Sequence, residues 1–131
     1  MSEENIAVAR KTVEALNSGD LDALIEVFDP DCVFEPQRAT VEGAFRGHAG
    51  VRSWFADTQE SFDTFRLEVN HEALGGDRVL SVGSLHICGR GSGIEAEIPT
   101  ASISELRDRR IWRFKDHVER SAALEAADEG N

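Results

Sequence analysis

The hydrophobic residues of this chain follow a helical period in its first part and a strand period in its second part. From 2 to 17 apolar residues recur three and four positions apart, which predicts an amphipathic helix that ends before Gly19. Asp20 is a suitable N-cap for a second, short helix that carries Leu21, Leu24, Ile25 and Phe28, and the Asp29-Pro30 pair stops it. A third helix is predicted from an apolar stripe that consists of Val51, Trp54, Phe55, Thr58 and Phe62.

An alternation of apolar and polar residues begins after Asp63 and predicts strands. These strands cover 65–73, 78–88, 94–106 and 110–118, and a short strand over 32–35 precedes the third helix. The connections contain Gly75-Gly76-Asp77, Gly89-Arg-Gly-Ser-Gly93 and Asp108-Arg109, which favours successive antiparallel hairpins. Helices first and strands afterwards predict an α+β fold, a cone-shaped, curved antiparallel sheet wrapped around three N-terminal helices. Such a fold leaves a cavity between the sheet and the third helix.

Length and charge restrict the classes of partner. The 131 residues are predicted to form a single domain over 1–127, with a short terminal helix and a frayed, disordered tail over 128–131. The formal net charge of −11 makes nucleic acid and anionic membrane surfaces poor partners. The sequence lacks an apolar run near the ~20 residues that span a bilayer, and its first residues lack the pattern of a signal peptide. We therefore expect a cytoplasmic protein.

The cysteines and histidines give no sign of a metal site. Cys32 and Cys88 lie far apart in sequence and are expected to be buried free thiols. The four histidines never fall at His-x-His or His-x-x-x-His spacing; they are His48, His71, His86 and His117. We expect neither a metal ion nor another cofactor, and we expect His48 to make only a local hydrogen bond.

The last predicted strand carries the main candidate for chemistry. Side chains two apart share a face of a strand, which places Trp112, Phe114, Asp116 and Val118 inward and Arg113, Lys115 and His117 outward. A carboxylate on an apolar face must find partners, because burying an unpaired charge costs several kcal/mol or more on an order-of-magnitude scale. Either Asp116 caps the strand end or pairs with an arginine, or it is an acid, base or polar anchor in a pocket. A one-residue slip in the Asp108-Arg109 hairpin would turn it outward.

Four stretches of the chain resemble the SnoaL-like group of the nuclear transport factor 2-like superfamily. They are 17–31, Phe45-Arg-Gly-His-Ala-Gly-Val-Arg-Ser-Trp-Phe55, 76–79 and 110–124, and the match extends over almost the whole length. The resemblance implies the cone-shaped α+β fold and a homodimer formed through the outer face of the sheet. It implies no single activity, because this fold hosts many chemistries and also non-catalytic proteins.

Two groups of relatives suggest roles for particular residues. In the ketosteroid isomerases the general base follows the first strand, where this chain has Glu35, although a solvated residue at a strand end would look the same. Their oxyanion hole needs a tyrosine and a protonated aspartate, but this sequence has no tyrosine, and the matching positions are Thr12 and Ser102. Steroid isomerisation is therefore not expected. In the polyketide cyclases an aspartate on the last strand acts as acid and base, and Asp116 occupies the similar place.

The remaining candidates could assist Asp116 or contact a ligand. His86 could pair with Asp116 if it points inward, but the alternation in 78–88 allows either face to point inward, and a surface or structural role is the alternative. His71 ranks below it because it lies near a strand end. Candidate ligand contacts are Trp54, Phe55, Ser102, Trp112 and Phe114, although helix packing also explains Trp54 and Phe55.

Two functions follow from this pattern. The first is a cofactor-independent isomerase, cyclase or lyase that acts on a small apolar molecule, with Asp116 as acid/base and His86 or Glu35 assisting. The alternative is a non-catalytic small-molecule-binding protein in which Asp116 anchors a polar group of the ligand. A protein-interaction scaffold is less favoured, since no segment resembles an exposed recognition element.

Overall fold

Four helices and six strands form the described part of the chain, residues 2–37 and 43–129, in a computed structural model. In chain order they are α1 (Ser2–Ser18), α2 (Leu21–Glu26), β1 (Phe28–Glu35), β2 (Phe45–Arg46), α3 (Gly47–Ser61), β3 (Phe62–Leu74), β4 (Arg78–Gly89), β5 (Glu95–Arg107), β6 (Arg110–Asp116) and α4 (Arg120–Glu129). The predicted α+β order is confirmed. Phe28 and Phe62 were predicted to belong to helices, but each begins a strand.

The six strands form one curved, unclosed sheet in the order β2-β1-β6-β5-β4-β3. All neighbouring pairs are antiparallel except β1 and β6, which are parallel. The prediction of a purely antiparallel sheet is therefore wrong at this pair. A parallel pair needs a long crossover, and the whole chain between β1 and β6 supplies it.

The three N-terminal helices cover the concave face of the sheet. Their apolar residues join those of the inner strand faces in one core, with Leu24, Phe28, Val51 and Ile111 almost fully buried. Asn17, near the end of α1, donates its amide to the carbonyl oxygen of Leu67 at 3.0 Å and accepts the Leu67 N–H at 2.8 Å. These two bonds hold α1 against β3, an edge strand whose backbone groups would otherwise be unpaired there.

The C-terminal helix α4 packs on the opposite, convex face. Ala123 and Ala127 of α4 are buried against Leu80, Ala101 and Ile103 of β4 and β5. Helices therefore lie on both faces of the sheet, whereas an order of helices followed by strands predicts them on one face. Residues 128–131 were predicted to be a frayed tail, yet α4 extends to Glu129; residues 130 and 131 lie outside the described part.

The β5–β6 hairpin sets the orientation of β6. Asp108 and Arg109 both have positive φ, 51° and 64°, and Arg107 pairs with Arg110. This is the two-residue hairpin geometry that usually has glycine at its second position, so Arg109 adopts a conformation that costs roughly 1–2 kcal/mol. The hairpin places Asp116 opposite Ser102 with its side chain on the concave side.

A bulge interrupts the alternation at the start of β6. Ile111 pairs with Leu106 and Arg113 pairs with Glu105, so Trp112 is the extra residue on its strand. Ile111 is buried in the core, whereas Trp112 stacks with the guanidinium groups of Arg107 and Arg113 at 4.9 and 5.5 Å. The structure thus places Trp112 outside the predicted pocket, because the bulge shifts the alternation by one residue between Ile111 and Phe114. Val118, predicted to share the inward face, lies beyond β6 and is exposed.

Candidate functional site

A cavity of about 370 Å³ lies between the concave face of the sheet and helices α1 and α3. This volume falls in the range of small-molecule sites, roughly 300–1,000 Å³. Most lining side chains are apolar; those from the helices include Ala9, Val13, Leu16 and Trp54. The cavity can therefore bury the body of a small apolar molecule.

The strand registers arrange the lining residues in rows across the sheet. One row is apolar, because Leu67 pairs with Leu85 and Leu85 pairs with Ile98. Four residues further along β3 lies a row that we call the polar row, formed by His71, Ser81, Ser102 and Asp116. Members of both rows line the cavity. The cavity thus has an apolar end and a polar end.

Asp116 accepts four hydrogen bonds and uses its two oxygens differently. Oδ1 accepts the backbone N–H groups of Val118 at 2.8 Å and Ala101 at 3.2 Å. Oδ2 accepts the Thr100 hydroxyl at 2.5 Å and the Gln37 amide at 3.2 Å. No salt bridge to an arginine reaches Asp116 within the described ranges. Oδ1 therefore fixes the strand end, and Oδ2 belongs to the polar part of the cavity.

Two partners of Asp116 were not recognised in the sequence. Thr100 precedes Ser102 by two residues on β5, so the alternation that places Ser102 inward also applies to Thr100. Gln37 follows β1 and also donates its amide to the carbonyl oxygen of Pro99 at 2.8 Å. No periodic pattern marks Gln37, since it lies in a turn whose course depends on tertiary contacts.

The structure reverses the order of the two histidine candidates. His86 lies on the convex face of β4, where its Nε2 is 3.7 Å from the carboxylates of Glu68 and Glu97. His86 therefore does not reach Asp116. His71 lines the cavity, and its Nδ1 lies 2.7 Å from the Ser81 hydroxyl oxygen. Burial, assisted by the nearby charge of Arg10, lowers the pKa of His71.

Glu35 is not part of the cavity. The adjacent Phe34 lines the cavity, so the strand alternation directs Glu35 to the other face, beside Lys115. A carboxylate in that position cannot act as a base on a molecule inside the cavity. The proposed match to the isomerase base is thus wrong in its orientation.

Three of the five predicted ligand contacts line the cavity: Trp54, Ser102 and Phe114. Phe55 is buried in the core beside Trp54 and does not line the cavity, because consecutive helical residues point in different directions. Trp112 lies outside the cavity because of the bulge at the start of β6.

Thr12 and Ser102, the two positions that match the isomerase oxyanion hole, both line the cavity, but only one of them has a hydroxyl group that is free to donate to a ligand. The Thr12 hydroxyl donates to the carbonyl oxygen of Val8 at 2.9 Å, so its proton is already used. Ser102 is 5% exposed, and its hydroxyl has no hydrogen-bond partner among the residues that the structure describes. A buried hydroxyl without a partner costs about 1–3 kcal/mol, so Ser102 is a donor that a ligand could satisfy.

The remaining sequence expectations concern thiols, metals and membranes. Cys32 is buried as predicted, and burial raises its thiol pKa, whereas Cys88 is only half-buried. His48 makes a hydrogen bond, with Nε2 2.8 Å from the carbonyl oxygen of Phe28, but the partner is 20 residues away on β1, so the bond is not local as expected. In residues 2–37 and 43–129 there is no cluster of His, Cys, Asp or Glu suited to a metal ion. No helix in those ranges has the length and apolar character needed to cross a membrane.

Several solved structures share this fold with the chain at low sequence identity. A nuclear transport factor 2-like protein of unknown function from Burkholderia pseudomallei is 18% identical, with a TM-score of 0.79 over 93% of this chain and 95% of that chain. TerC co-crystallised with polyporic acid is 20% identical, with a TM-score of 0.78 over 95% of this chain and 98% of that chain. A putative polyketide cyclase from Xanthomonas campestris pv. campestris is 20% identical, with a TM-score of 0.77 over 88% of this chain and 90% of that chain.

Sequence comparison assigns the family. No curated protein matches the sequence significantly. The profile of the SnoaL-like domain matches residues 9–114, which is most of the chain and includes β1 to β5 and most of β6. The structural neighbours agree with the fold that this family implies. The chain belongs to the SnoaL-like domain family.

Proposed function

We propose that this protein is a cofactor-independent acid/base enzyme, an isomerase, cyclase or lyase, that acts on a small, largely apolar molecule held in the cavity. The main support for the proposal is that the two carboxylate oxygens of Asp116 accept hydrogen bonds from different kinds of donor. Backbone N–H groups hold Oδ1, while Oδ2 meets only side chains, Thr100 and Gln37, beside an apolar chamber. A carboxylate fixed in this way is positioned in advance for proton transfer, a condition for efficient general base catalysis.

The reaction that suits this geometry is proton removal from a carbon beside a carbonyl group. Oδ2 of Asp116 takes the proton, and the electron pair of the C–H bond passes to the carbonyl oxygen to form an enolate. The free hydroxyl of Ser102 donates a hydrogen bond to that oxygen. In a cyclisation the enolate carbon then bonds to a second carbonyl carbon of the same molecule, and the protonated Asp116 returns its proton to the new alkoxide. In an isomerisation the protonated Asp116 returns the proton to a carbon other than the one from which it was removed.

The assisting roles change relative to the sequence hypothesis. His86 and Glu35 face away from the cavity, so Thr100, Gln37 and Ser102 replace them as the polar groups near Asp116. The oxyanion donors remain weaker than a tyrosine and a protonated aspartate. We therefore expect reactions of readily enolised substrates, and steroid isomerisation stays an unsuitable assignment.

Two structural neighbours support a small-molecule ligand for the cavity. TerC was crystallised with polyporic acid, and another neighbour is described as a putative polyketide cyclase. At 20% identity these proteins share the fold with this chain, and their chemistry enters here only as support for the proposal.

Deuterium exchange into 2-tetralone tests the proposal without knowledge of the natural substrate. This bicyclic ketone is apolar and has acidic protons beside its carbonyl group. We expect the wild-type protein to accelerate exchange in D₂O by roughly 10²-fold or more over buffer, and Asp116→Asn to remove that acceleration. Glu35→Gln is the matched control, because it neutralises a carboxylate outside the cavity, and its exchange rate should equal that of the wild type.

A non-catalytic small-molecule binder is the second candidate. It is favoured by the four hydrogen bonds that Asp116 already accepts, because a carboxylate with four donors serves well as a fixed anchor. In that case 2-tetralone binds and quenches the fluorescence of Trp54, but exchange stays at the buffer rate in wild type and Asp116→Asn alike. A Trp54→Phe variant should lose the signal, and Trp112→Phe should keep it, because Trp112 lies outside the cavity.

We also propose that the protein is a cytoplasmic homodimer, which does not bind nucleic acid. A dimer contact on the convex face would have to lie beside α4 and include charged residues of β3 and β4 such as Glu68 and His86. Light scattering coupled to size-exclusion chromatography should give a mass of twice 14.4 kDa. A mass of one chain at micromolar concentration would exclude the dimer.

A further inference from the structure

The polar row has a second hydrogen-bonding pole that the proposed reaction does not use. His71 Nδ1 and the Ser81 hydroxyl oxygen lie 2.7 Å apart at the β3 side of the cavity. Ser81 is 6% exposed, so this hydroxyl group is as well shielded from water as the residues of the core. Burying polar groups is unfavourable even when they are paired, so this pair is not explained by a contribution to stability. A role in binding a ligand would explain it.

The strand registers fix the distance between this pole and Asp116. Ser81 pairs directly with Ser102, and Ser102 pairs directly with Asp116. Two strand spacings therefore separate Ser81 from Asp116, roughly 10 Å. Between them lies the unpartnered hydroxyl of Ser102, which is 5% exposed. The floor of the cavity is thus a line of three hydrogen-bonding groups within apolar surroundings.

The apolar surroundings restrict what can lie along this line. Phe114 and Ile98 line the cavity from the sheet, and Leu16 and Trp54 line it from the helices. None of these side chains can hydrogen-bond a polar ligand, except through the indole N–H of Trp54. The hydroxyl groups of Thr12, Thr58 and Ser104 are further polar groups in a lining that is otherwise mostly apolar. A molecule that fits this lining is therefore mostly apolar over its faces and polar along the edge that meets the row.

We propose that the ligand of this cavity carries two oxygen functions at opposite ends of an apolar ring system. One lies at the Asp116 end, where a ligand hydroxyl donates to the carboxylate or a carbonyl oxygen accepts from Ser102, and the other is bound by the His71–Ser81 pair. This inference rests on the proposed function, and it adds the substrate class. Ser81 is the group that touches the second oxygen. His71 acts as a positioning residue, since it holds the Ser81 hydroxyl.

The His71–Ser81 pair can bind either a hydroxyl or a carbonyl group. When His71 Nδ1 is unprotonated, it accepts the Ser81 proton, and the serine oxygen accepts a hydrogen bond from a ligand hydroxyl. When Nδ1 carries the proton, it donates to the serine oxygen, and the Ser81 proton is free for a ligand carbonyl. A neutral histidine allows both arrangements, and desolvation favours the neutral form here.

Three naphthalene probes test this inference: naphthalene, 2-naphthol and 2,7-dihydroxynaphthalene. Their binding is followed by quenching of Trp54 fluorescence in a Trp112→Phe background, which leaves Trp54 as the one tryptophan of the chain. We expect 2-naphthol to use Asp116 and to bind more tightly than naphthalene. The second hydroxyl of 2,7-dihydroxynaphthalene should add a further gain of about 3- to 10-fold, the size of one net hydrogen bond.

Ser81→Ala and Ser84→Ala form a matched pair of variants on the same strand. Ser84 lies on the convex face of β4, outside the cavity, so its loss should change no affinity. Ser81→Ala should remove the gain from the second hydroxyl and leave the affinity for 2-naphthol unchanged. His71→Gln should reduce the same gain, because the serine hydroxyl loses its orienting partner.

The outcomes distinguish this inference from the proposed function. If 2-naphthol binds and responds to Asp116→Asn, but the second hydroxyl adds nothing or its gain survives in Ser81→Ala, the second pole is wrong and the Asp116 site stands. If none of the three probes binds but exchange into 2-tetralone depends on Asp116, the two-pole ligand is wrong and the proposed function stands; if that exchange is absent as well, both proposals are wrong. A gain that disappears in Ser81→Ala and persists in Ser84→Ala supports the two-pole ligand.

Discussion

Truncation of Asp116 should destabilise the protein far more than truncation of another half-buried carboxylate. In Asp116→Ala the acceptor is lost for the Ala101 N–H and the Thr100 hydroxyl, whose residues are 0% and 5% exposed. The N–H of Val118 also loses its partner, but Val118 is exposed and water can replace the carboxylate. Two donors are therefore left unsatisfied inside the protein.

The expected magnitude follows from those two donors. An unsatisfied buried donor costs about 1–3 kcal/mol, so Asp116→Ala should lower the free energy of unfolding by about 2–6 kcal/mol. Asp116→Asn keeps an oxygen for the backbone N–H groups and loses mainly the charge-assisted part of the bonds, so its cost should be about 1 kcal/mol. For a domain of this size, each kcal/mol corresponds to roughly 4 °C in Tm.

Urea unfolding followed by circular dichroism measures these differences. Glu35→Ala is the control, because it truncates a carboxylate on the other face of the sheet, and we expect a change of about 0.5 kcal/mol or less. If Asp116→Ala unfolds within about 1 kcal/mol of the wild type, the carboxylate does not satisfy buried donors, and the hydrogen-bond network assigned to it is wrong.

Three further predictions test the sheet, the hairpin and the half-buried His71. A Cβ at Gly83 would lie 1.9 Å from the carbonyl oxygen of Glu68, so Gly83→Ala should lower the free energy of unfolding in urea by about 3 kcal/mol. Gly75→Ala is the control and should be nearly neutral, because a Cβ there would have no atom within 4 Å. Equal effects of the two substitutions would refute the close strand contact. Arg109→Gly should raise the free energy of unfolding by about 0.5–1 kcal/mol, because relief of the positive φ outweighs the added entropy of the unfolded chain; a loss of stability would contradict it. The pKa of His71 is lowered by burial, so the unfolded chain binds more protons than the folded protein between the folded pKa and about 6.5. Stability should therefore fall as the pH drops through this window, with a slope of at most about 1.4 kcal/mol per pH unit from this residue. His71→Gln should flatten the curve measured from pH 7.5 to 5.5. An unchanged slope would be inconsistent with a half-buried, neutral His71.

The sequence predicted the fold and the central carboxylate because both depend on regular alternation. Asp116 faces inward as its position relative to Phe114 predicts, and the hairpin keeps the necessary register. Trp112 was assigned to the same face, but the bulge moved it outward. A bulge depends on how β6 meets both β5 and β1, and a single strand sequence carries little information about that contact.

The histidines show why a strand buried on both faces is difficult to orient. On β4, Leu85 faces the cavity and Leu80 faces α4, so apolar residues occur on both faces and the alternation does not select one. The register with β3 settles the question, since it places Ser81 opposite His71 on the cavity side and leaves His86 outside. Gln37 could not be predicted at all, because its contact with Asp116 spans 79 residues from a turn without periodicity.

Hydrogen–deuterium exchange into 2-tetralone, compared between wild type and Asp116→Asn at equal occupancy of the cavity, tests most directly whether Asp116 is the base of this site. We predict exchange roughly 10²-fold or more above buffer for the wild type and for Glu35→Gln, and none above buffer for Asp116→Asn. If the bound ketone exchanges at the same rate in wild type and Asp116→Asn, Asp116 is not the base of this site.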